Sequence, residues 1–208
     1  MPKSESDTIR PTLHHYGLTV SDTETMLDWY SKVLGTSLVH HSAKPAGAQT
    51  PAGARADWIS NDKANHRIAL ITVPDLTEDT ERSRHRRLQH VAFEYSSIDD
   101  LLASYSRLKD LGIEPVLAAD TGATTAFYYL DPEHNVVELL ADNFEDWDKS
   151  SEFMRTSPDF ADRPLGKFVD PDAMIAARAA GLSAEEVHRR AYGGDYSPTK
   201  PMDPKVLM

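Results

Sequence analysis

Two histidines and one glutamate have the types and spacing best suited to metal chemistry in this chain. His15 and His90 hold the same position in two copies of an internal repeat, because an offset of 75 residues also superimposes Leu18 on Phe93. Glu138 lies in an apolar run that closes the second copy. Two imidazoles and one carboxylate form the ligand set of non-haem Fe(II) centres that react with oxygen. The sequence therefore predicts one metal site shared by the two copies.

The elements that must position these residues follow the same order in each copy. In copy one, a strand precedes a helix that Ser21 or Asp22 caps and that Gly35 ends, and three strands follow. In copy two, Gly112 ends the helix, and a turn around His134 joins the last two strands. The strands predicted in copy one are 13–20, 37–41, 55–60 and 66–73. In copy two the predicted helix is 98–111, and the predicted strands are 88–95, 115–117, 124–130 and 135–141.

Each copy is thus a predicted βαβββ module, and neither module can cover its sheet alone. We expect one α+β domain over residues 12–143, in which modules 12–75 and 88–143 form one cupped, barrel-like mixed sheet. Residues 1–11 are predicted to be a loose lead-in. Residues 144–208 are predicted to be a partly helical extension, with one helix near 171–180 and another that Ser183 caps. The extension holds too few aliphatic residues for a separate domain and is expected to wrap the main body or a partner subunit.

Composition excludes several classes of protein. The 208 residues carry a net charge of −11, so binding to nucleic acid or to an anionic membrane is not expected. The chain has no cysteine, which excludes disulfides and thiolate metal sites. No stretch reaches the length of a membrane span and the N-terminus lacks an apolar core, so we expect a soluble cytoplasmic protein.

Three motifs carry a resemblance to a known family. The two copies begin with HYGLTV and HVAFEY, and the second ends with DPEHNVVELLAD. Together with the duplicated module, they resemble the vicinal oxygen chelate superfamily, which includes glyoxalases, bleomycin resistance proteins and dioxygenases. The chain is most similar to the type I extradiol ring-cleavage dioxygenases. This resemblance implies Fe(II) bound by His15, His90 and Glu138, with a catechol-type aromatic diol and O2 as substrates.

Two further positions match that group and one does not. The segment Asn65-His66-Arg67-Ile68-Ala69-Leu70 resembles the one that carries an acid–base histidine, which implies a catalytic role for His66. Tyr128 lies ten residues before Glu138, as the group's tyrosine does, and is expected to donate a hydrogen bond to a substrate oxygen. The group often has a histidine near residues 119–121, where this chain has Ala119-Asp120-Thr121. Anchoring of the substrate from that side is therefore not implied.

Strand alternation places the predicted site residues on one concave face. His15 is expected to lie opposite Leu18, while Glu138 is expected to share a face with Val136 and Leu140. His14 then falls on the face opposite His15, where a structural role is expected. His134 is interpreted as a turn residue. His40 and His41 are expected near the concave face but match no motif.

Two other functions remain open at this stage. A glyoxalase- or epimerase-like lyase or isomerase would use Mn, Ni, Co or Zn, usually with four protein ligands, and His66 could supply the fourth. A non-catalytic small-molecule binding protein would need no metal ligands, which fits this chain poorly. In every case we expect a homodimer or a higher homo-oligomer.

Overall fold

The computed structural model describes residues 9–42 and 53–207, so most of the lead-in and most of the segment between the strands predicted at 37–41 and 55–60 lie outside the described residues. The chain divides into two compact units, Met1–Glu78 and Asp79–Met208. None of the helices in the described part of the chain is long and apolar enough to cross a lipid bilayer.

The first unit contains one βαβββ module. Its strands pair in the order β1-β4-β3-β2, with β1 and β4 parallel and the other pairs antiparallel. Asp22 caps the helix through the amide of Thr25, and Gly35 ends it in a left-handed conformation. The elements are β1 Tyr16–Val20, α1 Thr23–Leu34, β2 Ser37–His41, β3 Arg55–Ser60 and β4 Ile68–Thr72.

The second unit repeats the module and adds the C-terminal extension. Its first four strands pair in the equivalent order, β5-β8-β7-β6, and β5 is parallel to β8. Ser97 caps the helix of this module through the amide of Asp100. The elements are β5 His90–Tyr95, α2 Ile98–Asp110, β6 Leu117–Asp120, β7 Thr124–Leu130 and β8 Val136–Asp142.

The extension is folded as part of the second unit. A short strand, β9 Lys167–Phe168, pairs antiparallel with β6 and makes this sheet five-stranded. The helices of the extension are α3 Trp147–Thr156, α4 Pro158–Asp162, α5 Pro171–Ala179 and α6 Ala184–Gly193. The predicted helices near 171–180 and after Ser183 are therefore confirmed, whereas α3, α4 and β9 were missed.

In each module, one face of the sheet is buried against the helix. In the first module, Met26 and Tyr30 from α1 pack with Val20, Ile68 and Leu70, all at most 1% exposed. The α+β class and the duplicated βαβββ module are confirmed. Hydrogen bonding among the described residues gives one mixed sheet per module rather than a single continuous sheet. The grouping of residues 12–143 as one domain stays a prediction.

Several predicted strand boundaries were wrong. β1 begins at Tyr16 and β4 at Ile68, so His15 and His66 precede their strands instead of lying in them. The cause is the turn after β3, where the Asp62 carboxylate accepts hydrogen bonds from the Ala64 amide and the Arg67 side chain. This turn occupies the chain as far as Arg67, so the parallel ladder starts only at the next residue.

The strand predicted at 115–117 lies instead at Leu117–Asp120. Pro115 has no N–H for a ladder. At the other end, antiparallel pairing with β7 continues as far as Asp120, and β9 pairs with Ala119 and Asp120 from the opposite side.

Candidate functional site

His90, Glu138 and Tyr128 form one cluster on a single face of the second sheet. Glu138 is paired across the sheet with Ala92 on β5 and with Tyr128 on β7. His90 lies two residues before Ala92 and therefore projects from the same face. Its Nε2 lies 2.9 Å from the Glu138 Oε2, and its ring lies 5.9 Å from that of Tyr128. This part of the predicted site is thus assembled within one module.

Burial affects the titration of the Tyr128 phenol, which lies beside the buried Glu138. Glu138 is only 6% exposed. Burial raises the pKa of the Tyr128 phenol above its usual range, and the neighbouring charge of Glu138 adds to the shift. Tyr128 therefore stays protonated near neutral pH and can act as a hydrogen-bond donor.

Gln89, the residue before His90, contacts and orients the His90 ring. The Gln89 side chain donates from Nε2 to the Leu207 carbonyl at 2.9 Å, which directs its Oε1 to His90 Nδ1. Both ring nitrogens of His90 thus lie next to side-chain oxygens. His90 Nε2 and Glu138 Oε2 are donor atoms of the kinds that bind a divalent metal ion. The sequence analysis did not identify Gln89, although its place beside a candidate ligand was a usable signal.

A second cluster lies in the first module and contains His14, His15 and His66. The ring centroids of His15 and His66 are 4.2 Å apart, and His14 lies 5.1 Å from His15 and 5.3 Å from His66. The prediction that His14 lies opposite His15 was wrong. Because residues 11–15 form no strand, alternation does not apply to them.

Arg67 fixes the backbone of this cluster. Its guanidinium donates to the His14 carbonyl at 2.9 Å and to the Asp62 carboxylate at 2.7 Å. The hydrogen bond from Arg67 holds the pKa of Asp62 at about 2. Partial desolvation lowers the pKa of His66, and the neighbouring His15 and His14 lower it further. His66 is therefore neutral near pH 7 and able to accept a proton.

The repeat shows where the two modules differ chemically. Gly17 pairs with Ala69 in the first module as Ala92 pairs with Glu138 in the second. The first module thus has alanine at the position equivalent to Glu138 and offers no second carboxylate there. Applying the same offset of 75, His14 is the counterpart of Gln89.

Asp120 lies where the resembled group often has a substrate-anchoring histidine. In this chain the Asp120 side chain has a structural role. It lies on the helix-facing side of the sheet, is 0% exposed and bonds His188 Nδ1 at 2.8 Å. The Gly122 amide and the Asn143 side chain also donate to it. Asp120 therefore attaches α6 of the extension to β6.

Three other histidines, His40, His41 and His134, lie outside both clusters. His134 has φ 64° in the β7–β8 turn, which agrees with the predicted turn role. His41 contacts the buried Asp57 carboxylate, and the ring of His40 lies 5.5 Å from that of Trp58. Neither joins a candidate site.

Comparison with known proteins gives consistent matches. The family model for the glyoxalase/bleomycin resistance protein/dioxygenase superfamily matches residues 12–139. The chain is 31% identical to "Biphenyl-2,3-diol 1,2-dioxygenase 2" from Rhodococcus globerulus, over 93% of this chain and 95% of that protein. It is 33% identical to "Biphenyl-2,3-diol 1,2-dioxygenase 3" from the same organism, over 89% and 91%.

The fold also matches a solved structure. A glyoxylase/bleomycin resistance protein/dioxygenase domain from Frankia sp. EAN1pec superimposes with a TM-score of 0.53 at 16% identity, covering 64% of this chain and 93% of that domain.

Proposed function

Because the chain belongs to the glyoxalase/bleomycin resistance protein/dioxygenase superfamily, we propose that it is an Fe(II)-dependent extradiol dioxygenase that cleaves a catechol-type aromatic ring with O2. The observation that carries this proposal is the His90–Glu138 pair, in a chain that aligns along nine-tenths of its length with a biphenyl-2,3-diol dioxygenase. That relative acts on an aromatic diol, and we extend this substrate class to the present chain.

The donor set fits a divalent metal. Glu138 is a buried carboxylate, and its Oε2 lies 2.9 Å from the His90 Nε2. We propose His90 and Glu138 from the second module and His15 from the first as the three ligands. Fe(II) held in this way would keep positions open for both hydroxyl oxygens of a catechol and for O2.

The protein side chains would bind the substrate and move its protons. His66 would accept a proton from the bound diol, since a neutral imidazole can act as a general base. Tyr128 would donate a hydrogen bond from its protonated phenol to an oxygen of the substrate or product. Gln89 would keep the His90 ring oriented with Nε2 towards the metal, as outer-shell partners of ligands do.

A lyase or isomerase with Mn, Ni, Co or Zn is the second candidate. Ala69 stands where a carboxylate ligand of the first module would be, which leaves His66 as the fourth donor that this alternative requires. The alignments with the two biphenyl-2,3-diol dioxygenases cover more than nine-tenths of each of those proteins, which favours the first proposal. A non-catalytic binding protein would have no use for the His90–Glu138 pair.

The proposal includes self-association. Trp147, Met154 and Leu165 of the extension are 70%, 51% and 69% exposed, and burying them would favour a homodimer or a larger homo-oligomer. Light scattering of the purified protein should give a mass of at least twice 23.1 kDa.

The direct test is reconstitution with iron. The metal-free protein is loaded with Fe(II) under anaerobic conditions, and catechols, including biphenyl-2,3-diol, are added in air. Oxygen uptake with a yellow ring-opened product is expected only in the Fe(II)-loaded sample. If Fe(II) is bound but no catechol is consumed, while a Mn- or Ni-loaded sample converts a glyoxalase-type substrate, the second candidate is the correct one.

A further inference from the structure

The three histidines of the first module form a group with the chemistry of a second metal site. The described residues include one group in which the donor atoms of His14, His15 and His66 all lie within 4.8 Å of one another. The Nδ1 atoms of His14 and His15 are 2.9 Å apart. Three imidazole donors around one Zn2+ would be separated by about 3.3 Å, given Zn–N distances of about 2.0–2.1 Å. Small side-chain rotations would bring all three donor atoms to one ion.

The backbone holds these residues together. β1 and β4 are parallel with Tyr16 opposite Ile68, so the same register places His14 opposite His66. The hydrogen bond from Arg67 to the His14 carbonyl fixes this arrangement just outside the strands. His14 and His15 are exposed, so an ion can reach the group from solvent. The cluster is therefore produced by the fold and not by chance contact of long side chains.

We propose that His14, His15 and His66 bind one Zn2+, or another divalent cation that favours imidazole ligands, with water in the fourth position. This site is distinct from the proposed iron site because it contains no carboxylate and draws every ligand from the first module. It shares His15 with the iron site, so one chain cannot hold both ions. The competition, but not the zinc site itself, rests on the proposed function.

His14 is the residue that separates the two sites, and the repeat supplies a matched substitution. Gln89 is its counterpart and orients His90 through an amide oxygen. His14→Gln therefore retains a side chain able to orient His15 in the same way but removes a zinc ligand. A purely orienting role for His14 would survive this change, whereas a ligand role would not.

The experiment uses the full chain carrying His90→Ala and Glu138→Ala, which removes two of the three proposed iron ligands. Calorimetric titration with Zn2+ should show one ion bound per chain. Adding His14→Gln should weaken binding at least tenfold. Adding His134→Asn instead, at an exposed turn whose positive φ suits asparagine, should leave the affinity unchanged.

A second measurement reads the ligands directly. X-ray absorption of the Co2+-loaded double variant should count three imidazoles, and two after His14→Gln. In the otherwise unchanged protein, Zn2+ should displace bound Fe(II), and His14→Gln should reduce that displacement. The inference is overturned if the double variant binds no zinc, if His14→Gln leaves the zinc affinity unchanged, or if fewer than three imidazoles are counted. These titrations involve no turnover, so a failed dioxygenase assay would leave them unaffected.

Discussion

The attachment of the C-terminal extension through Asp120 can be tested by a stability measurement. Asp120 is fully buried on β6 and accepts hydrogen bonds from His188 on α6, from the Gly122 amide and from Asn143. Asp120→Ala removes the acceptor of these donors and of the Thr125 hydroxyl. His188→Ala removes one donor and leaves the carboxylate with the other partners.

The magnitude follows from burial. Leaving a buried hydrogen-bond donor without its acceptor costs about 1–3 kcal/mol, and Asp120→Ala removes the acceptor of several donors at once. We therefore expect about 3 kcal/mol for Asp120→Ala. His188→Ala should cost about 1–2 kcal/mol, because the remaining donors still satisfy the carboxylate. At about 2–4 °C per kcal/mol for a chain of this size, Asp120→Ala should lower Tm by roughly 6–12 °C.

The assay is thermal and urea unfolding of both single variants, the double variant and an exposed control, Asp162→Ala. The two single losses should sum to more than the loss of the double variant, because the residues are in contact. If Asp120→Ala unfolds within about 1 °C of the unchanged protein, or if the two losses are additive, the pair does not attach the extension.

Three further predictions concern the candidate site, and a fourth concerns the C-terminal extension. Glu138→Ala should abolish stoichiometric iron binding, and full iron content in that variant by elemental analysis would contradict the ligand assignment. His66→Phe should retain iron and lose about 10²–10⁴-fold in kcat, whereas joint loss of iron and activity would favour a four-ligand site. Gln89→Ala should weaken metal binding by about 10–100-fold, because the His90 ring loses its orienting partner; titration with Fe(II) against Gln89→Glu, which keeps an oxygen acceptor, checks this. Truncation after Asn143 should lower Tm, change the oligomeric state or raise KM, and a truncated protein equal to the full chain in all three would show that residues 144–208 are dispensable.

Local signals in the sequence were sufficient to predict most of the strands and helices. The caps at Asp22 and Ser183 and the left-handed Gly35 marked helix ends correctly, because capping depends on residues within a few positions of each other. The strands Arg55–Ser60 and Thr124–Leu130 were predicted with the bounds that the structure shows. The repeat also led to the His90–Glu138 pair, since the same module is built twice.

Features that depend on distant residues were not predictable in this way. Asp120 and His188 are 68 residues apart, and no local pattern joins them. The position of His14 depended on where β1 begins, which the turn around Asp62 and Arg67 decides. Helix α3 was missed because its cap, Asp146, is followed by a mostly polar segment with few aliphatic residues.

The central claim is that this chain inserts both atoms of O2 into a catechol, and isotope labelling tests it most directly. The Fe(II)-loaded protein is given 18O2 and biphenyl-2,3-diol, and the product is analysed by mass spectrometry while oxygen uptake is recorded. The account predicts one O2 consumed per ring-opened product, with two labelled oxygen atoms in that product. Conversion of substrate without oxygen uptake, or a product with no labelled oxygen, would contradict it.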